Sequence, residues 1–392
     1  LGMILAVITA LAMMEAAGGL DFLVETAEKL LRRNPARVTF VAPAVTYVLI
    51  MAAGTQHVIY SLLPVIAEVS RKAGIRPERP MSMSVIAAQQ GLIASPISAV
   101  SVALLAALSG LDVSLTDILI VIIPATLAGL LMGTLSVAWR GANLADDEQY
   151  QARLAAGEFE EPVQEAAMAG DRRRAGLGSC LAFLATVALI VTIGIWPELR
   201  PVYALAEDGT ALRVAMAPAI MILMLACAGV IGLACGADPA RAIRGDLMRS
   251  GLVAIISILG VSWLGSSFFA SNEEQIVGTI ASVIETAPWL FALGLFVLSI
   301  LLFSQAATIV ILAPVGVALG MPAYMLVGLY PAVNSNFFLP TYGTVLAAIS
   351  FDRTGTTTIG KYVLNHSFMR PGLVATGTAT LVAMGVSRIV LA

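Results

Sequence analysis

Charge is what this 392-residue chain has least of: Asp, Glu, Lys and Arg make up 12% of it, against 59% hydrophobic residues. Soluble domains carry about a quarter charged residues, so a water-exposed globular protein is excluded and the chain belongs in a bilayer. Histidine is nearly absent, occurring only at His57 and His366. Two histidines so far apart give no metal-ligand cluster, and neither His-Glu-x-x-His nor Gly-x-Ser-x-Gly occurs, so an intramembrane enzyme is disfavoured and no metal or cofactor is expected. Cys180, Cys227 and Cys235 lie in apolar stretches without metal spacing and read as small hydrophobes. The net charge of -3 is distributed over loops, and no uninterrupted basic face offers itself to nucleic acid.

Long apolar runs take the place of charge. Runs of 17 or more mostly apolar residues occupy 1–17, 83–109, 115–139, 177–196, 213–235, 250–270, 322–350 and 371–392, and a ~30 Å hydrocarbon core requires about that length. Stretches 38–70 and 287–320 are also apolar but have polar centres, and read as helical hairpins.

Of the 22 Lys and Arg residues, 19 fall in alternate loops: four in 18–37, four in 68–82, five in 140–175, three in 237–249 and three in 352–370. Basic residues stay on the cytoplasmic side, so these loops are expected to face inward and 110–114, 197–213 and 271–286 outward. The assignment requires 38–70 to enter and leave from the cytoplasm and 287–320 from outside. Each hairpin arm has about 16 residues, roughly 25 Å of helix, and the turns Gly54-Thr55-Gln56-His57 and Phe303-Ser304-Gln305 are polar but uncharged. Hairpins that turn back inside the membrane fit best; two full spans with polar outer turns are the alternative.

The expected fold is an all-α polytopic membrane protein built from two inverted repeats, each with a re-entrant helical hairpin and a broken transmembrane helix. Residues 1–139 form the first repeat, with hairpin 38–70 and broken helix 83–109. Residues 140–176 form a cytoplasmic linker, and 177–392 the second repeat, with hairpin 287–320 and broken helix 322–350. Three spans precede the hairpin in the second repeat but only 1–17 does so in the first, so about two helices are expected ahead of Leu1. Amphipathic segments 20–33 and 272–286 read as interfacial helices.

Pro64 aligns with Pro314 at an offset of 250 and Ser95-Pro96 with Leu339-Pro340 at 244; the six-residue slip falls in the loop from Arg71 to Pro80. The aligned halves share four interruptions: the two hairpin turns, and breaks at Ala94-Ser95-Pro96-Ile97-Ser98 and Phe338-Leu339-Pro340-Thr341-Tyr342-Gly343. Proline removes a backbone donor, and irregular backbone at membrane depth must be buried in protein or line a polar cavity. Helix N-termini brought to mid-membrane favour an anion, the arrangement of secondary transporters. The candidate substrate contacts are Thr55, Gln56, His57, Ser95, Pro96, Ser98, Ser304, Gln305, Thr308, Pro340, Thr341 and Tyr342. Asn334, Ser335 and Asn336 add polar groups beside the second break, and Gln89 and Gln90 read as packing or cavity amides. His57 is open to two readings, a titrating proton carrier or a hydrogen-bonded turn residue. An anion channel and a membrane sensor are the rival classes, the latter with a sensor-kinase partner on the 140–175 linker.

Several motifs resemble the Dcu family of anaerobic C4-dicarboxylate transporters. They are Gly18-Gly19-Leu20-Asp21, Gly54-Thr55-Gln56-His57-Val58-Ile59-Tyr60-Ser61-Leu62-Leu63-Pro64, Gly74-Ile75-Arg76-Pro77-Glu78-Arg79-Pro80 and Phe351-Asp352-Arg353-Thr354-Gly355-Thr356-Thr357. The resemblance covers almost the whole chain. It implies exchange of fumarate, malate, aspartate and succinate across a bacterial inner membrane during anaerobic respiration, with Na⁺- or H⁺-coupled symport as the alternative. It further implies, by analogy with the wider ion transporter superfamily, elevator motion against a homodimeric scaffold. Gln56 departs from the glycine, and Gly343 from the proline, that the family pattern leads one to expect.

Overall fold

The computed structural model describes residues 2–33, 35–156, 170–205, 211–245 and 289–392, together with 248, 249, 252 and 271. The span expected at 250–270 and the interfacial helix expected at 272–286 lie essentially outside the described residues. Among the described residues, five helices have the length and hydropathy to cross a membrane: 35–53, 115–137, 170–193, 218–235 and 369–390. A sixth candidate is a bent pair, α1 (Gly2–Ala16) and α2 (Gly19–Arg33), whose axes meet at 71°. Gly18, at φ 83°, makes that bend. Beyond it α2 carries its charges on one face, and the apolar Leu30 is exposed.

The first hairpin consists of α3 (Val38–Ala53) and α4 (Ile59–Lys72), and a 3₁₀ turn at Pro35–Arg37 extends α3 backward. With that extension the first arm reaches 19 residues, long enough to cross by itself and longer than the sequence suggested. Next come α5 (Glu78–Ile93), the break, α6 (Ala99–Ala107) and α7 (Leu115–Val137), which starts with a capping box between Ser114 and Asp117. The linker expected over 140–176 is partly helical. It contains α8 (Glu148–Ala155), and α9 (Gly170–Ile195) starts early enough for Arg172 and Arg173 to meet Asp21 and Glu25 of α2 at 3.0 and 3.6 Å. α10 (Met216–Cys235) and the short α11 (Pro239–Arg244) follow.

The all-α expectation needs one correction. Val202–Leu205 and Ala211–Arg213 pair antiparallel as a two-stranded sheet in the 197–213 loop. Val202 and Tyr203 are residues that favour extended backbone, and the Arg213 guanidinium donates to the carbonyls of Glu198 and Arg200, tying the sheet to the end of α9.

The second hairpin is α12 (Trp289–Leu302) and α13 (Gln305–Ala318). The 322–350 run is not one helix: α14 (Ala323–Leu329) passes into a 3₁₀ turn at Tyr330–Val333, helical structure stops, and α15 (Gly343–Phe351) begins afresh before α16 (Met369–Val390). The 83–109 run is divided in the same way, because Ser95-Pro96 cannot continue the ladder of α5.

Small residues set the closest helix pairing. A Cβ on Gly129 would lie 2.5 Å from the Ala375 carbonyl, and one on Gly133 3.0 Å from the Ala375 side chain, so α7 and α16 approach through a Gly-x-x-x-Gly face against Ala375 and Ala379. Gly91 of α5 similarly admits the Tyr47 carbonyl of α3, 2.7 Å from where a Cβ would be.

The two halves also pack reciprocally. α4 of the first hairpin lies against α15, the helix after the second break; α13 of the second hairpin lies against α6, the helix after the first break. α5 packs on α7 as α14 packs on α16.

Candidate functional site

Each hairpin turn is shaped by one left-handed residue. Gly54 ends α3 at φ 68°, a conformation glycine adopts without steric cost. The matching residue after α12 is Phe303, at φ 49°, where a side chain is strained by ~1–2 kcal/mol. Its ring stacks on Tyr342, with centroids 6.5 Å apart and planes 7° apart, which joins the second turn to the residue preceding α15.

The four interruptions meet. A Cβ on Gly54 would lie 2.9 Å from Ile97 and 3.6 Å from the Ser95 hydroxyl, so the first turn sits on the first break. Across the halves, Gln56 Nε2 donates to Gln305 Oε1 at 3.1 Å, and Gln305 Nε2 donates in turn to Asn334 Oδ1. Ser101 Oγ donates to the Ile93 carbonyl at 3.0 Å and lies 3.4 Å from the Tyr330 hydroxyl, which connects the first break with the second. Thr376 of α16 donates to the Asn334 carbonyl, and Ser299 of α12 to the Val333 carbonyl, each at 2.8 Å. These two contacts satisfy backbone carbonyls released by the second break, as the Ser101 hydroxyl satisfies one at the first.

The N-terminal ends of α4, α6, α13 and α15 belong to this meeting point. Two are capped internally: Ser98 Oγ accepts from Ser101 N at 3.2 Å, and Ser304 Oγ from Ala307 N at 3.1 Å. Ser98 and Ser304 therefore spend part of their hydrogen-bonding capacity on their own helices. Thr308 Oγ1 donates to the Ser304 carbonyl at 2.8 Å, closing the same turn. α15 starts from extended Tyr342 with no side-chain cap, so its first N-H groups keep the positive end of the helix dipole uncovered, whereas α4 continues directly from the 3₁₀ turn Gln56–Val58.

Unpartnered polar atoms lie at the same place. Gln56 is 6% exposed and its Oε1 has no partner; Asn334 is fully buried and its Nδ2 has none. Gln89 and Gln90, one turn before the first break, are fully buried with all four amide heteroatoms unpartnered. A buried group left unpaired costs ~1–3 kcal/mol. Such a collection is expected where a polar ligand or water completes the structure.

The contacts above bring together Gln56, Ser95, Ser98, Ser304, Gln305, Thr308 and Tyr342. Thr55 is half-buried in the first turn, and Pro96 and Pro340 are buried in the breaks, whereas Thr341 is exposed. The His57 side chain lies outside the described residues. Asn334, named among the polar groups beside the second break, lies at this centre. Ser101, Ser299 and Tyr330 were missing from the candidate contacts; they lie within helical or turn segments that look unremarkable alone.

Gly343 occupies the first helical position of α15, where proline also fits. A Cβ there would be 2.5 Å from the Tyr60 hydroxyl of α4. The departure from proline thus coincides with a close contact between the first hairpin and the second break.

The motif loops brace this centre from one end. Arg79 Nε and Nη2 donate to the carbonyls of Arg140 and Gly141, each at 2.7 Å, and Nη1 donates to Asn143 at 3.0 Å. Arg76 pairs with Glu78 and Asp147 at 2.7 and 2.8 Å. Buried Asp352 accepts from the Thr354 hydroxyl, from Thr356 Oγ1 at 2.8 Å and from Thr357 N at 2.7 Å, while Thr356 Oγ1 accepts from Glu78 N at 3.2 Å. His366 Nδ1 accepts from Phe368 N at 3.2 Å while Nε2 lies 3.0 Å from the Phe338 carbonyl, which fixes the proton on Nε2. Burial holds its pKa below the usual imidazole value, the Phe338 hydrogen bond opposing in part.

A predominantly helical, multi-span architecture with helix breaks gathered at one polar centre is one that membrane transporters use. The chain belongs to the anaerobic C4-dicarboxylate membrane transporter family, DcuA_DcuB, whose model matches residues 1–391. It is 40% identical over 390 residues to the C4-dicarboxylate transporter DcuA of Escherichia coli K12, covering 98% of this chain and 87% of that protein. It is 37% identical over 379 residues to the anaerobic C4-dicarboxylate transporter DcuB of Escherichia coli O157:H7, covering 95% and 84%. DcuA of Wolinella succinogenes is 37% identical over 390 residues, covering 99% and 88%. Among solved structures, the crystal structure of the YdaH transporter of Alcanivorax borkumensis matches with a TM-score of 0.58 at 19% identity, over all of this chain and 84% of that one. The last likeness concerns the fold alone.

Proposed function

We propose that the protein is a secondary transporter that exchanges C4-dicarboxylates such as fumarate, malate, aspartate and succinate across the bacterial inner membrane. Substrate binds where the four helix interruptions meet. The observation that carries this reading is the Gln56–Gln305–Asn334 amide chain, which joins both hairpin turns and the second break. Beside it stands the uncapped N-terminus of α15. Helix N-termini and neutral amides attract a dianion without a fixed cation, whose tight pairing would slow release.

The reciprocal packing of α4 on α15 and α13 on α6 supports two structurally related halves. With the charge pattern of the loops, it favours inverted repeats whose hairpins re-enter the membrane from opposite sides. Elevator-type alternating access and a homodimeric scaffold follow by analogy with the superfamily.

Proteoliposomes loaded with succinate test the exchange. Uptake of labelled fumarate or aspartate is expected to require internal dicarboxylate and to be insensitive to imposed Na⁺ and pH gradients. Uptake indifferent to the internal acid but driven by either gradient would replace exchange with symport, and sustained uncoupled current in planar bilayers would indicate a channel.

A further inference from the structure

The amide chain at the centre of the site has two free ends. Gln56 donates to Gln305 and Gln305 donates to Asn334. This leaves an acceptor, Gln56 Oε1, without a partner at one end and a donor, Asn334 Nδ2, without a partner at the other. In a run of three primary amides linked head to tail, the oxygen at one end and the nitrogen at the other are the heteroatoms left with no partner in the run, while each linking nitrogen keeps a second N-H. Both end residues are more than nine-tenths buried, so bulk water does not supply the missing partners.

We infer that Gln56 makes the site discriminate among C4 dicarboxylates by their C2 substituent, favouring acids that carry a hydrogen-bond donor there over unsubstituted ones. The inference rests on the dicarboxylate-binding reading above. Carboxylates only accept hydrogen bonds, so they fill the donor end at Asn334 and the helix N-termini, and offer nothing to Gln56 Oε1. A 2-hydroxyl or 2-ammonium group donates, and fills it.

A succinate or fumarate molecule leaves that acceptor buried and unpaired. Sites built to hydrogen-bond a substrate group discriminate strongly against an analogue lacking it, because their own polar atoms are then stranded. One neutral acceptor of this kind corresponds to a preference of roughly tenfold. Thr308 and Ser304 do not substitute for it, since the Thr308 hydroxyl donates to the Ser304 carbonyl and the Ser304 oxygen caps α13.

The experiment uses the full chain in proteoliposomes with labelled malate and labelled succinate, both dianions of four carbons that differ in one hydroxyl. Half-saturating concentrations are measured for the wild-type protein and for Gln56→Met, which keeps length and removes both amide heteroatoms. The wild type is expected to favour malate about tenfold, and Gln56→Met to bring the ratio close to one, because it removes both the contact malate makes and the acceptor succinate strands. Equal affinities in the wild type overturn the inference even when the variant does not fold, and so does a malate preference that survives in Gln56→Met. No saturable uptake of either acid by the wild type would instead overturn the dicarboxylate reading, and this inference with it.

Discussion

Gly343→Ala should stabilise the protein only after Tyr60 has lost its hydroxyl. A Cβ at position 343 would lie 2.5 Å from Tyr60 Oη but 3.8 Å from the ring carbon behind it. The hydroxyl oxygen would have to retreat by about 1 Å to reach ordinary contact, whereas the ring is already at that distance. Overpacking costs ~1–3 kcal/mol, and because the clash involves the far end of one side chain the lower figure applies. Exchanging glycine for alanine in a helical conformation returns ~0.4–1 kcal/mol by restricting the unfolded chain. Gly343→Ala alone is therefore expected to be neutral or slightly destabilising, and in a Tyr60→Phe background stabilising by about 0.5–1 kcal/mol. Equilibrium unfolding of the wild type, both single variants and the double variant in mixed micelles gives the coupling energy, and the cycle cancels whatever else the Tyr60 hydroxyl contributes. A coupling of about 1 kcal/mol is expected. Effects that add to within ~0.3 kcal/mol would refute the contact between the first hairpin and the second break.

Two further outcomes follow from the loops. His366 is held neutral between Phe368 N and the Phe338 carbonyl with its pKa depressed. The unfolded chain therefore binds the proton first as the pH falls, and stability should hold above the ordinary imidazole pKa and decline below it until the lower folded pKa is passed. Thermal unfolding across pH 8 to 5 should show a decline that His366→Gln flattens; identical profiles would exclude the role. Arg79→Lys keeps the charge but loses the planar fork that meets the Arg140 and Gly141 carbonyls and Asn143. It should cost about 2 kcal/mol and expose the 140–147 segment to protease, whereas an unchanged cleavage rate would contradict the clamp.

The parts of the fold legible in the sequence were those written in local chemistry. Ser95-Pro96 and Leu339-Pro340 marked the breaks because proline cannot continue a helix, and Gly54 marked a turn because only glycine takes the left-handed conformation freely. That Gly129 and Gly133 form a packing face against Ala375 and Ala379 was not legible, since its partner lies on a helix distant in the sequence. What stayed hidden depends on residues that meet only after folding. Ser101 is an ordinary helical serine until Tyr330 arrives beside it, and Ser299 lies in the middle of an apolar arm until Val333 needs a donor. Ser98 and Ser304 read as site hydroxyls, yet each also caps its own helix. Thr341 was expected at the centre and is exposed. The strands Val202–Leu205 and Ala211–Arg213 escaped notice because three or four residues leave too short a pattern to read.

Gln305 stands between the halves, accepting from Gln56 and donating to Asn334. Equilibrium binding of labelled fumarate to the purified wild type and to Gln305→Met tests most directly whether substrate sits where the interruptions meet. Saturable binding that weakens by about tenfold or more in a variant of wild-type helicity is the predicted result. Equal affinity in the two proteins would contradict it and move the site elsewhere in the chain.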